Sequence, residues 1–447
     1  MKFSLGISKQ LFPILLVNFI GILGYSIVIP ILIFMVQDMG GNGFIYGFVG
    51  ATYPFFQFIG APILGKLSDA IGRKKVLVLS QAGTFLAWSL FIIALIIPKI
   101  VLWEGNTEFT GNYLMTLPLV LLFLARAFDG FTGGNVSVAN AYLSDISTDE
   151  NRNSNFGKMG ASTSIGFVVG PALAGILSST QLESLLPVML AALISLLAIY
   201  VIWKWLPETN PCQVETGKLS LRSFRRFFQV ELKDCFGNET TRPINANFSS
   251  VIKISGLPVL YGIYFLTFLA FSLFYAGLPL YASGVLQWTP GELGFFLAYS
   301  SLLMIVVQGP LLSFLNKRIS GTKLIVIGSV FLTFSFLLLP MEKIGWLYTA
   351  NTLLSIGNGL LWPSFLGLLS KAGSKNMQGA IQGYGNSMGS AASIFGLILG
   401  GTLFQQLEAR VFTIAAFIFV LIILLVFANL YRKQKVKSDL PKVSSTV

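Results

Sequence analysis

Between Gly65 and Lys75 the chain reads Gly-Lys-Leu-Ser-Asp-Ala-Ile-Gly-Arg-Lys-Lys, a short polar stretch wedged between two apolar runs. Gly65 has no side chain to hold a neighbouring helix away. Asp69 is a carboxylate at a helix end, where it suits the N-terminus of an adjacent helix. Gly72 permits a tight turn. Arg73, Lys74 and Lys75 load positive charge onto one side of whatever the flanking runs cross, and Arg73 can pair with a carboxylate on that side such as Asp145. The runs are bilayer-sized: no charge lies between Asp38 and Lys66, and none within 76–98, where about 20 apolar residues suffice to cross the hydrocarbon core.

The same pattern repeats outward. Lys9 to Asp38 is free of charge, and so are 159–182, 184–203, 254–291, 293–316, 324–341, 344–370, 376–407 and 411–431. One further run, about 114–143, is apolar except for Arg126 and Asp129. This predicts twelve membrane spans. The first is not expected to be a cleaved signal peptide, because it is too long, lacks a small-residue cleavage site and is followed at once by another span. With both termini on the inner side, 26 of the 30 Lys and Arg fall inside, the outer segments hold only Lys99, Lys343 and Arg410, and Arg126 lies in the membrane. One missed span would scramble that asymmetry.

Composition agrees. Of 447 residues, 54% are hydrophobic and 11% charged, with a mean hydropathy of +0.76, whereas soluble domains carry about 25% charged residues. The net charge of +12 therefore reads as inner-face asymmetry, and no nucleic-acid partner is expected. The absence of His removes the commonest metal ligand and general base. Cys212 and Cys235 cannot build a zinc site or a disulfide framework. No metal, cofactor or catalytic nucleophile–base pair is expected, which argues against an enzyme. No ring of charges or carbonyl filter suggests a channel.

Residues 207–256 form the longest polar stretch and divide the chain into a bundle over 1–206 and a second over 257–431, followed by a basic tail over 432–447. Within the linker, Leu219 to Phe236 alternates Arg and Lys with Phe and Leu, as a helix lying flat on anionic lipid would. Asn238 and Asn247 open glycosylation patterns that this topology places inside, unmodified. The segment from Ala61 aligns without gaps on that from Gly309, an offset of 248, matching Pro62 to Pro310, Leu64 to Leu312 and Lys75 to Lys323. Parallel six-helix halves are one way to build an alternating-access transporter. The second copy has lost the chemistry: Ser313, Lys317 and Gly321 stand where Gly65, Asp69 and Arg73 do.

The Gly65–Lys75 stretch resembles the signature between the second and third spans of the major facilitator superfamily. Arg126 and Gly130 match that family's fourth-helix motif. Together with Asn135, Ala141 to Asp145, and Asn151-Arg152 before Phe156-Gly157, they look like its tetracycline-resistance-like branch of drug:proton antiporters. Gly166, Gly170, Pro171 and Gly175 resemble the family's antiporter motif, with Ala174 in place of one Gly. The likeness covers 10–205 well and 257–430 by architecture. It implies an all-α membrane protein of twelve transmembrane helices in two pseudo-symmetric six-helix bundles. It also implies a latch of Gly65, Asp69, Gly72, Arg73, Asp145 and Arg152 that joins the halves when the cavity faces outward, and export by exchange. Small residues four apart give a flat packing face and Pro171 a bend, which suits a helix at the interface between halves. One departure stands: many members carry an acid in the first helix just before the pair that here is Gly24-Tyr25, where this chain has Gly21, and Asn18 one turn earlier. A uniporter or another exchange ion stays open for that reason.

Arg126 and Asp129 sit three residues apart, on one helix face, and a charge near the bilayer centre costs at least roughly 2.5–3.5 kcal/mol. Residues that expensive face a cavity and act there. Asp129 is expected to carry the coupling proton and Arg126 to hold it ionised or to attract substrate; a permanent structural ion pair is the alternative. The substrate path is expected along Asn18, Tyr25, Tyr53, Gln57, Asn135 and Asn140 in the first half. In the second half it is expected along Tyr275, Tyr299, Gln308, Asn358, Trp362, Gln382 and Asn386, with helix-packing roles the competing explanation for each. Such an apolar-aromatic lining suits an amphiphilic organic molecule and suits phosphates poorly. The expected protein is a monomeric, multi-pass, proton-coupled exporter of small hydrophobic or amphiphilic compounds in a plasma (bacterial inner) membrane, both termini cytoplasmic. A facilitated or ion-coupled importer on the same fold is the alternative, and a transport-dead scaffold is disfavoured by the intact motifs.

Overall fold

Two of the helix starts carry side-chain caps, at Thr116 and Thr289. The computed structural model of the chain describes residues 11–108, 110–148, 151–209, 248–254, 256–369, 372 and 378–438. The helices of the first half are α1 (Leu11–Val28), α2 (Leu32–Asp38), α3 (Gly43–Ile71), α4 (Arg73–Ile96), α5 (Leu117–Gly133), α6 (Val136–Asp145), α7 (Arg152–Ser178) and α8 (Leu185–Trp205). Those of the second are α9 (Phe248–Ile252), α10 (Leu257–Gly284), α11 (Pro290–Val306), α12 (Leu312–Leu315), α13 (Gly321–Leu338), α14 (Ile344–Leu369), α15 (Gln378–Leu407) and α16 (Val411–Ser438).

The caps are readable. Thr116 accepts the Leu119 N–H at the start of α5. Thr289 and Glu292 form a reciprocal capping box at the start of α11, with Pro290 in its first turn, where a missing N–H costs nothing. Pro30 lies in the short break between α1 and α2, so the first run is bent rather than straight. Gly134 and Asn135 interrupt the fourth run.

Eleven segments are long and apolar enough to cross a membrane, the last being Ile381–Ala428 with 48 residues. A straight helix of that length would reach about 70 Å against a core of about 30 Å. A 3-10 turn at Glu408–Arg410, with Glu408 at φ +48°, divides it into α15 and α16. The described residues therefore hold twelve membrane helices, and the protein is a multi-pass integral membrane protein.

One element was unforeseen. The loop after α4 folds as a hairpin, β1 (Val101–Thr107) with β2 (Gly111–Thr116). Leu114 donates its N–H to Gly40 O at 2.8 Å, and Thr116 Oγ1 donates to Met39 O at 2.7 Å. The sequence gives no period-2 alternation there strong enough to announce it.

The chain divides into two compact units. One comprises 1–40, 52–104 and 114–243; the other comprises 41–51, 105–113 and 244–447. In the first, α1 packs on α7 and α8, and α4 on α5 and α8. In the second, α10 packs on α15 and α16, and α13 on α14 and α16. Numbered as spans one to six within each unit, the pairs are the same: one with five and six, three with four and six. Leu219 to Phe236, Asn238 and Asn247 lie outside the described residues.

Candidate functional site

In the first unit, α3 and α5 cross so closely that a Cβ on Gly130 would collide with the Tyr53 carbonyl. That approach lays the Arg126 guanidinium over the Tyr53 ring, 4.9 Å from its centroid. Tyr25 of α1 meets Tyr53 at 4.8 Å and Phe167 edge-on at 6.1 Å. Gln57 Nε2 donates to Gly133 O at 3.1 Å and reaches Tyr53 Oη at 3.4 Å. Arg126 and Asp129 are each only 4% exposed, and no other charged side chain is buried among the described residues. Arg126 Nη1 stands 3.9 Å from Asp129 Oδ2, too far for a hydrogen bond. Arg126 Nε and Asp129 Oδ2 have no hydrogen-bond partner among the described residues. The pair is thus held by proximity, by a ring face under Arg126 and by the Thr84 hydroxyl, which hydrogen-bonds the Asp129 carboxylate. A half-satisfied buried ion pair is costly to build, and its spare donor and acceptor can take a proton or a polar ligand group.

The signature stretch builds a second polar cluster. Gly72, at φ +109°, ends α3, and any Cβ there would meet the Glu208 carboxylate. Arg73 Nε donates to Asp145 Oδ2 at 3.1 Å, and Arg73 Nη1 donates to Ser68 Oγ at 2.6 Å. Glu208 takes both leading N–H groups of α4, from Arg73 at 2.8 Å and from Lys74 at 3.1 Å. Lys74 Nζ donates to Trp203 O, and Thr209 Oγ1 donates to Asp145 Oδ2 at 3.2 Å. The carboxylate capping α4 is therefore Glu208, where Asp69 was the residue expected to cap a helix. The side chains of Asp69 and Arg152 lie outside the described set. Glu208 escaped sequence reading because it belongs to the Leu206-Pro-Glu-Thr exit of the sixth span, remote in sequence and assigned to the linker. The one available signal was a carboxylate directly behind a span end. Gly65 lets Ser137 approach, and Ser137 Oγ donates to Ala61 O at 2.8 Å.

The small face of α7 packs on α1. A Cβ on Gly170 would collide with Ser26, and one on Gly166 would stand 2.9 Å from Ile22; Ser26 Oγ donates to Gly166 O at 2.9 Å. Within the first unit, Gly166 and Gly170 let the backbones of α1 and α7 come close. Pro171 lies within α7, and Gly175 O accepts from Ser179 Oγ.

Of the other path candidates in this unit, Asn18 Nδ2 donates to Thr163 Oγ1 at 2.8 Å and lies 3.3 Å from Met159 O and Ser162 Oγ, which binds α1 to α7. Asn135 stands at the start of α6 and Asn140 is half-buried within it. In the second unit, Tyr275 is 38% exposed. Tyr299 Oη pairs with Thr352 Oγ1 at 2.9 Å, and Asn358 Nδ2 lies 3.7 Å from Met304 Sδ. Gln308 sits in a π-turn over Val307–Leu311. Asn386 accepts from Tyr264 Oη at 2.9 Å, Gln382 is exposed one turn before it, and Trp362 is half-buried among rings.

Known proteins match this chain throughout. The family description "Major Facilitator Superfamily" matches residues 14–250 and 260–446. The chain is 28% identical over 395 residues to the class E tetracycline resistance protein of Escherichia coli, covering 88% of this chain and 87% of that one. It is 24% identical over 429 residues to multidrug resistance protein 2 of Bacillus subtilis, covering 94% and 95%. Among solved structures, the human organic anion transporter TETRAN superposes with a TM-score of 0.64 at 20% identity, covering 94% of this chain and 99% of that one.

Proposed function

The chain belongs to the major facilitator superfamily, a family of transporters and not of enzymes, and from that premise we propose that it exports small hydrophobic or amphiphilic organic compounds in exchange for protons. The observation that carries this reading is the Arg126–Asp129 pair, buried, loosely spaced at 3.9 Å and short of hydrogen bonds. Protonation of Asp129 removes the one carboxylate paired with Arg126 among the described residues and changes the local charge by one unit. A freed guanidinium over the Tyr53 ring then presents its N–H groups to a substrate. Release of the proton restores the pair and weakens that hold. Each ligand shifts the transporter only by its differential affinity for the two states, and a buried charge supplies a large one.

The Arg73–Asp145 bond, with Glu208 fixing the start of α4, serves as the latch between conformations. The direction is supported by relatives named for tetracycline and multidrug resistance. In this reading the chain acts as a monomer in a plasma membrane with both termini inside.

Purified protein in liposomes with an imposed pH gradient tests it. A fluorescent drug is expected to move against the proton flow, and Asp129→Asn to abolish gradient-driven movement while leaving substrate binding measurable. Unchanged gradient-driven flux in Asp129→Asn sinks the coupling, and substrate moving with the protons favours the importer.

A further inference from the structure

A membrane helix exposes amides only where water or a ligand meets them, because lipid satisfies no hydrogen bond. Gln382, Asn386 and Ser390 recur every four residues on α15, hence on one face. Gln382 and Asn386 are exposed and Ser390 half-buried, inside a segment apolar enough to span the bilayer. Such a face suits water or a ligand and not lipid tails. Beside it lies a cluster of rings. Tyr264 and Phe268, one turn apart on α10, stack at 5.0 Å and 5°. Trp362 of α14 stands edge-on to them at 5.4 and 5.3 Å, and Phe365 stacks on Trp362 at 6.0 Å. Tyr264 and Phe365 are buried, 3% and 1% exposed, whereas Trp362 and Phe268 remain partly open. Tyr264 Oη donates to Asn386 Oδ1 at 2.9 Å, which orients the amide and leaves its Nδ2 as a donor beside the open rings.

We propose that Trp362, Phe268 and Asn386 form a subsite of the second half for a flat polycyclic aromatic ring with a hydrogen-bond acceptor on its edge. The proposal rests on the efflux reading and names the part of the amphiphile that this half holds. A rigid, buried backing with one open face is what ring stacking requires. No charged side chain is buried in this unit among the described residues, so selection here follows planarity rather than charge.

Doxorubicin anisotropy with the purified full-length protein in detergent tests it, since that planar ring system carries quinone carbonyl acceptors on its edge, with tetrapropylammonium, a cation without rings, as competitor. Trp362→Phe is expected to bind doxorubicin within about twofold of the parent, and Trp362→Leu to bind about tenfold more weakly. Asn386→Ala is expected to lose several-fold, and tetrapropylammonium not to compete. Should Trp362→Leu elute aggregated, Phe268→Leu and Asn386→Ala decide. Parental affinity in the variants that fold overturns the subsite, and so does absence of doxorubicin binding by the parent. The titration reads binding and not flux: doxorubicin held at Trp362 but never transported sinks the efflux reading alone, and flux indifferent to Trp362 sinks the subsite alone.

Discussion

Arg126 and Asp129 show what three residues of spacing can and cannot say. Their isolation in an apolar run, and their sharing of one helix face, follow from the sequence. The Tyr53 ring beneath Arg126 comes from α3, whose close approach to α5 needs the absence of side chains at Gly60, Gly130 and Gly133. Removing one member of a buried pair leaves the other uncompensated, at a cost of about 3–5 kcal/mol. Asp129→Leu alone is therefore expected to lower stability by that order, and adding Arg126→Met to recover most of the loss. Thermal unfolding of the detergent-solubilised protein checks this, and simple additivity would contradict a coupled pair. Arg126→Lys keeps the charge but not the flat guanidinium over the ring; gradient-driven flux is expected to fall roughly tenfold.

At the scale of elements, α4 owes its start to a carboxylate from the far end of α8. Glu208 satisfies two of the four N–H groups a helix N-terminus leaves open, at the end where the dipole favours negative charge. Glu208→Ala is expected to cost about 0.5–2 kcal/mol and to loosen the Arg73–Asp145 bond, read as a lower unfolding temperature together with slower transport. Glu208→Gln, which keeps an acceptor, is expected to fall between. The α1–α7 contact has no slack, since even a Cβ on Gly170 collides with Ser26. Gly170→Leu therefore forces the helices apart, and overpacking of that kind costs about 1–3 kcal/mol or more. The small-residue spacing was visible in the sequence, but which helix would fill it was not, because a flat face names no partner. The hairpin over 101–116 was invisible for a related reason: it is held in part by α2 and its exit, through Gly40 and Met39.

For the whole molecule, the two units repeat one packing scheme although their signature stretches have diverged chemically. Burying a six-helix bundle needs only apolar faces in the right order, so the packing scheme is the same although Ser313, Lys317 and Gly321 stand at the positions matching Gly65, Asp69 and Arg73. The expected topology puts Cys212 and Cys235, the two Cys of the chain, inside. A membrane-impermeant thiol reagent added to intact cells is expected to leave both unlabelled and to label them after permeabilisation. Labelling in intact cells contradicts the orientation.

The sequence alone determined that this chain spans a membrane, how many times, and which two charges are out of place. Those properties depend on hydrophobic length and charge sign, which are local and additive along the chain. Tertiary structure alone decided that Glu208 caps α4, that Gly166 and Gly170 face α1, that Arg126 lies on Tyr53 and that Trp362 joins rings beside Asn386. Each depends on the distance between segments that the bilayer leaves free to pair in many ways, and side-chain shape selects one of them.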